Sequence, residues 1–281
     1  MVEASSSGQD EGGEESSGAT WLMELQKKCE ALLSLLPESL TLLDRSETLI
    51  KNPLFRFLER EVTVGANLLK KVRSDLKELL EVCQATKKST NELRALADEL
   101  HVDAIPKAWR VYRVADMTAP EWMVDFQKRL AQLKALSERG DYGERGLWIG
   151  GLFFPEAFLT ATRQKVAHEN RWSLEELELV MFLDSHVEVD KNSFEATGMS
   201  VEGAEWRGEK LKATQALSQS LERAVFMWVR KTGERKGLKL PVYLNESRKH
   251  LLFAVKLAHE SDHPPHFWYQ RGLAFVCQSR K

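Results

Sequence analysis

His259, Glu260 and His263 are the residues whose types and spacing come nearest to writing a catalytic site in this 281-residue chain. The pattern HExxH on a helix sets two imidazoles on one face to bind zinc while the Glu activates water. The surrounding sequence argues against that chemistry. The string closes an alternating run, Leu251, Phe253, Val255 and Leu257, with the period of a strand, and Pro264-Pro265 stops any helix at once. A third protein ligand is also needed, and residues 264–281 contain no Asp or Glu, leaving only His266. The expectation is a solvated loop whose His259, His263 and His266 capture metal weakly at most. The nucleotide and acyl-transfer signatures GxxxxGK[ST], GxGxxG and GxSxG are missing, and the pair Gly150-Gly151 runs into Leu152 and Phe153, which offer a phosphate nothing. No catalytic residue, cofactor site or metal site is assigned.

Charge and composition narrow the partners. Forty Lys and Arg against 42 Asp and Glu give a net charge of -2, which supplies no global field for a phosphate backbone or an anionic bilayer, so nucleic acid and membrane are disfavoured. Apolar runs stop after a few residues, far short of the ~20 that a membrane span requires. Cys29, Cys83 and Cys277 are odd in number and far apart, which suits a reducing, intracellular setting better than a disulfide framework. Arg230, Lys231, Arg235, Lys236 and Lys239 crowd around Gly233 and Gly237 and read as a charged hairpin loop that guards a sheet against aggregation. Eight Trp fill a core unless several share an exposed patch, which would mark a docking face.

These residues must be positioned by two kinds of element. Residues 1–19 are Ser, Gly and acid with no base, and are expected to form a disordered tail. A helical stripe of Leu22, Leu25, Cys29, Leu32 and Leu36 starts at Trp21 and ends at Pro37, and a short second helix is expected through Leu43 and Ile50. Asn52-Pro53 then opens the most regular segment, where Leu58, Val62, Gly65, Leu69, Val72, Leu76, Leu79 and Cys83 recur at alternating steps of four and three. Gly65 stands in that seam where a knob is wanted, so a long helix packed within its own domain is favoured over a two-chain coiled coil. A helix is expected from Asn91 to Leu100. Thr118 with Glu121 forms a capping box for another, with Met123, Phe126, Leu130 and Leu133 on one stripe. Residues 147–154 look strand-like, and Pro155 occupies a first helical position of a helix reaching Asn170.

Beyond Trp172 the period falls to two. Short runs at residues 177–183, 199–201, 225–229, 240–244, 251–257 and 273–277 predict an antiparallel sheet closing toward a barrel, with Pro241 at an edge or strand start. The fold class expected is α+β: a helical subdomain over 20–171, then an antiparallel β-barrel-like subdomain over 172–281.

Several strings resemble the C-terminal region of dynein heavy chains. They are Leu152-Phe153-Phe154-Pro155-Glu156-Ala157-Phe158 and its continuation to Gln164, Trp172-Ser173-Leu174-Glu175-Glu176-Leu177, and Asn52-Pro53-Leu54-Phe55-Arg56-Phe57-Leu58-Glu59-Arg60-Glu61. Val201-Glu202-Gly203-Ala204, Leu240-Pro241-Val242-Tyr243-Leu244-Asn245 and Tyr269-Gln270-Arg271-Gly272 follow in the family's order. The resemblance runs from Leu22 to the end and is closest to the cytoplasmic dynein 1 heavy chains, less close to the axonemal ones. It implies a non-catalytic segment that follows the sixth AAA+ module, packs across the ring of a minus-end-directed microtubule motor in the cytoplasm, and modulates processivity and force. The partners implied are the AAA+ ring modules, with dynein subunits or regulators possible and the microtubule reached only indirectly. A coiled-coil or helical adaptor, or a subunit-docking module, without a motor-regulatory role is the alternative. The length and acidic start lead us to expect a fragment or free-standing relative of a heavy chain. Leu58, Val62, Leu69, Val72, Leu76, Met123, Phe126, Leu130, Phe154 and Phe158 are the candidate packing or ring-contact residues.

Overall fold

The computed structural model describes residues 12–113, 116–140, 142, 144–184, 186–216, 218–231, 237–259, 261 and 263–277, apart from the side chains of 12–19. The helices are α1 (Gly12–Ser34), α2 (Pro53–Cys83), α3 (Asn91–His101), α4 (Ala119–Arg139), α5 (Pro155–Asn170) and α6 (Pro265–Gln270). The strands are β1 (Leu147–Trp148), β2 (Leu177–Phe182), β3 (Ser193–Thr197), β4 (Met199–Glu202), β5 (Glu205–Arg207), β6 (Lys210–Lys212), β7 (Ser218–Leu221), β8 (Ala224–Arg230), β9 (Leu238–Tyr243), β10 (Leu251–Leu257) and β11 (Ala274–Val276). By backbone contact the protein divides into two compact units, residues 1–39 with 67–127 and residues 40–66 with 128–281, the dividing lines falling inside α2 and α4.

Local signals set most helix boundaries. Asn52 Oδ1 accepts the Leu54 amide at 2.9 Å, directly before α2. Thr118 and Glu121 form the reciprocal capping box: the Thr118 amide donates to Glu121 at 2.7 Å and the Glu121 amide to Thr118 Oγ1 at 3.4 Å. Two expectations need correction. Residues 37–48 are irregular with one 3-10 turn after them, at Leu49–Lys51, and no second helix forms. Ser46 Oγ caps that turn by accepting the Leu49 amide at 3.2 Å, and Asn52, held extended before Pro53, ends it after three residues. The helix expected from Trp21 begins at Gly12. Residues 1–11 of the expected tail lie outside the described residues.

The first unit packs α1, α3 and parts of α2 and α4 around Leu25, Cys29, Leu32, Leu76, Leu79, Leu96 and Leu100, all buried. Trp122 stacks at 5.6 Å on Trp109, at 5.8 Å on Tyr112 and at 5.1 Å on Phe126. The Trp109 indole N–H donates to Asp75 at 2.9 Å, which satisfies the polar edge of a fully buried ring.

In the second unit the strands run β1-β3-β8-β2-β10-β9-β11-β4-β7, a curled half-barrel with open edges at β1 and β7, beside a β5-β6 hairpin. The sheet is mixed, which corrects the all-antiparallel expectation: β1·β3, β2·β10 and β9·β11 are parallel. Long returns of the backbone, such as that from β2 to β10, set these pairings, and local turns cannot encode them. Pro241 lies in an interior strand. It is tolerated because β11 pairs with β9 only at Val242 and Tyr243, just past the proline. A file of aromatic rings joins α2 and α5 to the sheet: Phe57 to Phe158 at 5.4 Å, Phe158 to Phe194 at 5.0 Å, and Phe194 to Phe226 at 5.1 Å.

Candidate functional site

The candidate residues from the sequence fall inside the protein. Leu58, Val62, Leu69, Val72, Leu76, Met123, Phe126, Leu130 and Phe158 are all buried, and Phe154 alone is half-buried. They are divided between the two units. Leu69, Val72, Leu76, Met123 and Phe126 belong to the first unit, and the other five belong to the second. Gly65 explains the gap in the seam. A Cβ there would stand 2.9 Å from Leu133 Cδ1 and 3.3 Å from the Phe153 ring, so α2 and α4 approach across a missing side chain.

A buried polar centre lies under the string from Leu152 to Pro155. Glu61, fully buried on α2, accepts the amide of Phe153 at 2.8 Å on one carboxylate oxygen and that of Phe154 at 2.7 Å on the other. Arg129 on α4, 1% exposed, donates to the Leu152 carbonyl at 3.0 Å and lies 5.3 Å from the Trp148 ring. Gln132 holds Trp148 by both backbone groups, at 3.1 and 2.8 Å. Burial pushes the Glu61 carboxyl up to about 7, against the pull of the two amides, Arg129 and Arg60. The strand expected over 147–154 is therefore cut to β1, and the backbone turns through a 3-10 helix at Ile149–Gly151. A Cβ on Gly150 would overlap the Cys277 carbonyl, and one on Gly151 the Trp148 indole.

Sequence reasoning missed Glu61 and Arg129, although a signal existed. Each stands three residues after an apolar stripe position, Leu58 and Phe126, and four before another, Gly65 and Leu133. A charge inside a buried stripe requires partners. This arrangement fixes a turn and orients three elements; it presents no nucleophile or proton carrier to a cleft.

The HExxH string takes no helical form where it is described. Ser261 makes a β-bridge with Leu211, and α6 starts only at Pro265. His259 departs from the solvated-loop expectation: it is half-buried, its Nε2 accepts the Leu183 amide at 3.0 Å, and its ring lies 4.5 Å from Trp206. His263 and His266 are exposed, and Glu260 and Asp262 lie outside the described residues. None of the eight Trp is exposed, so they form no docking patch. In the basic cluster, Arg230 pairs with Glu176 at 3.1 Å and Lys231 donates to the Glu175 carbonyl at 2.8 Å, while Arg235 and Lys236 lie outside the described residues. Among the described residues no helix is long and apolar enough to cross a membrane.

Comparison with known proteins places these features. The family described as the C-terminal domain of the dynein heavy chain matches residues 1–277. The cytoplasmic dynein heavy chain of Drosophila melanogaster is 39% identical over 272 residues, 92% of this chain and 6% of that protein. That of Paramecium tetraurelia is 38% identical over 264 residues, 91% of this chain and 6% of its own length. Dynein axonemal heavy chain 12 of Mus musculus is 25% identical over 276 residues, 89% of this chain and 9% of its own. The sequence thus spans about one-seventeenth of the cytoplasmic heavy chains it matches.

Proposed function

The protein belongs to the family of C-terminal domains of dynein heavy chains, and from that premise we propose that it serves a cytoplasmic, microtubule-based motor as a non-catalytic mechanical part. It packs across the AAA+ ring and biases the ring between conformations. Its partners are the other heavy-chain modules, and the microtubule is reached only through them. A body that contacts several modules changes their conformational ratio about tenfold for each 1.4 kcal/mol of difference in contact energy, which is sufficient to alter run length and force.

The observation that carries this reading is the family match along nearly the whole sequence. The clamp of Glu61 and Arg129 on the Leu152–Phe154 backbone supports it, because a part that transmits force needs stiff joints. The adaptor alternative loses its main support, since Leu69 and Leu76 are 1% and 0% exposed and unavailable to a second coil. Single-molecule motility tests the proposal. A cytoplasmic dynein motor lacking the segment equivalent to residues 22–281 is expected to change run length and stall force; unchanged motility in a folded, truncated motor would overturn it.

A further inference from the structure

We propose that Asp184, His186 and Glu209 form a binding site for one zinc-class divalent cation, joining the loop after β2 to the tip of the β5-β6 hairpin. One ligand atom from each residue lies within 4.8 Å of those of the other two. Tetrahedral zinc with bonds of about 2.1 Å sets its ligands about 3.4 Å apart. Small side-chain rotations close the difference, since His186 and Glu209 are exposed and Asp184 is half-buried.

The framework behind these side chains is built. Asp184 Oδ1 accepts the His186 amide at 2.8 Å, which leaves its second oxygen for a metal. The hairpin tip bends through Gly208 and Glu209, with φ of 60° and 62°. The segment carrying the HExxH string ties the two parts together. Leu183, beside Asp184, donates its amide to His259 Nε2 at 3.0 Å, the His259 ring lies 4.5 Å from Trp206 on β5, and Ser261 bridges Leu211 on β6.

Charge points to a cation. Two carboxylates converge here, and among the described residues neither Asp184 nor Glu209 has an ion pair. Their mutual repulsion is offset most directly by a divalent ion. The imidazole sets the class, because nitrogen with carboxylate oxygen suits zinc, whereas magnesium and calcium prefer oxygen alone. An open fourth position would hold water. The consequence is a cross-link between two loops that share no strand pairing, and the proposal stands or falls apart from any role in a motor.

The test uses zinc itself on the full 281-residue protein. Titration against a chelating dye is expected to give one saturable zinc per molecule. Asp184→Asn, His186→Ala and Glu209→Gln should each weaken binding by more than about tenfold, while His263→Ala and His266→Ala leave it unchanged. Hydrogen exchange at the β5-β6 hairpin should slow with zinc in the unaltered protein and not in the His186→Ala variant. Circular dichroism checks that each variant is folded. Absence of saturable binding, or binding that survives in the Asp184→Asn, Glu209→Gln double variant and disappears in His263→Ala, would overturn the site.

Discussion

Glu61 allows a quantitative test of the buried centre. Its carboxyl titrates at about 7 in the folded protein against an ordinary 4.5, with burial as the leading cause. The folded state therefore binds this proton more tightly than the unfolded one. The resulting stabilisation is complete below the ordinary value and is lost as pH rises toward 7. At about 1.4 kcal/mol per pH unit the full loss is about 3 kcal/mol. Glu61→Gln isolates the effect because it does not titrate. Its amide NH2 must also face one of the two backbone donors, since each carboxylate oxygen accepts a different one, and an unsatisfied buried donor costs about 1–3 kcal/mol. Urea unfolding of both proteins, followed by far-UV circular dichroism, gives the difference in stability at each pH. The advantage of Glu over Gln should shrink by about 3 kcal/mol between about pH 4 and pH 8. An advantage that stays constant or grows would refute the reasoning, and would mean that the amides and Arg129 outweigh burial and keep the carboxylate ionised throughout.

Three further outcomes are expected. Gly151→Ala should destabilise the protein by about 1–3 kcal/mol in the same assay, because the new methyl overlaps the Trp148 ring. Thr118→Ala should cost about 1 kcal/mol by removing the α4 cap. The Cys29 thiol is pushed up to about 12 by burial and that of Cys277 is raised too, both being buried, whereas Cys83 is half-buried. Iodoacetamide on the native protein should therefore label Cys83 ahead of the other two, and equal labelling would contradict the burial.

What could be read from the sequence was local. Asn52-Pro53, the Thr118 and Glu121 pair and Pro155 each place a helix start by groups within four residues, and α2, α4 and α5 begin where those signals stand. Apolar alternation located β2 and β10, and short apolar runs located β8 and β9, for the same reason. The strands that escaped are polar or short. β7 is Ser-Gln-Ser-Leu at a sheet edge, and β5 and β6 form a hairpin of three residues a side with one buried residue, Leu211. Edge strands with a single partner have little apolar area to bury, so their sequence carries little period. Parallel pairings escaped because residues such as Val180 and Lys256 meet only through everything that intervenes between them. Glu61 and Arg129 escaped because each completes the backbone bonding of a turn about 90 and 20 residues away in sequence.

That the seam residues are buried changes how ring contact should be tested. Replacing Leu58, Leu69 or Leu130 would open a cavity and cost about 2–5 kcal/mol, so a slower or weaker motor carrying such a change would report an unfolded part as readily as a lost contact. Contact must instead be sought where apolar side chains are already exposed, as at Val102, Met23 and Leu251, which are 69%, 60% and 56% exposed. Single exposed apolar residues are ordinary on any surface, and changing one shifts stability by about 0.5 kcal/mol or less. Val102→Asp and Leu251→Asp placed in a full heavy chain are therefore expected to leave thermal unfolding of the C-terminal region unchanged. A change in run length with either variant would locate a contact surface, because stability would be excluded as its cause. If neither substitution, alone or combined, alters run length or stall force while deletion of the whole segment does, the contacts lie away from Val102 and Leu251.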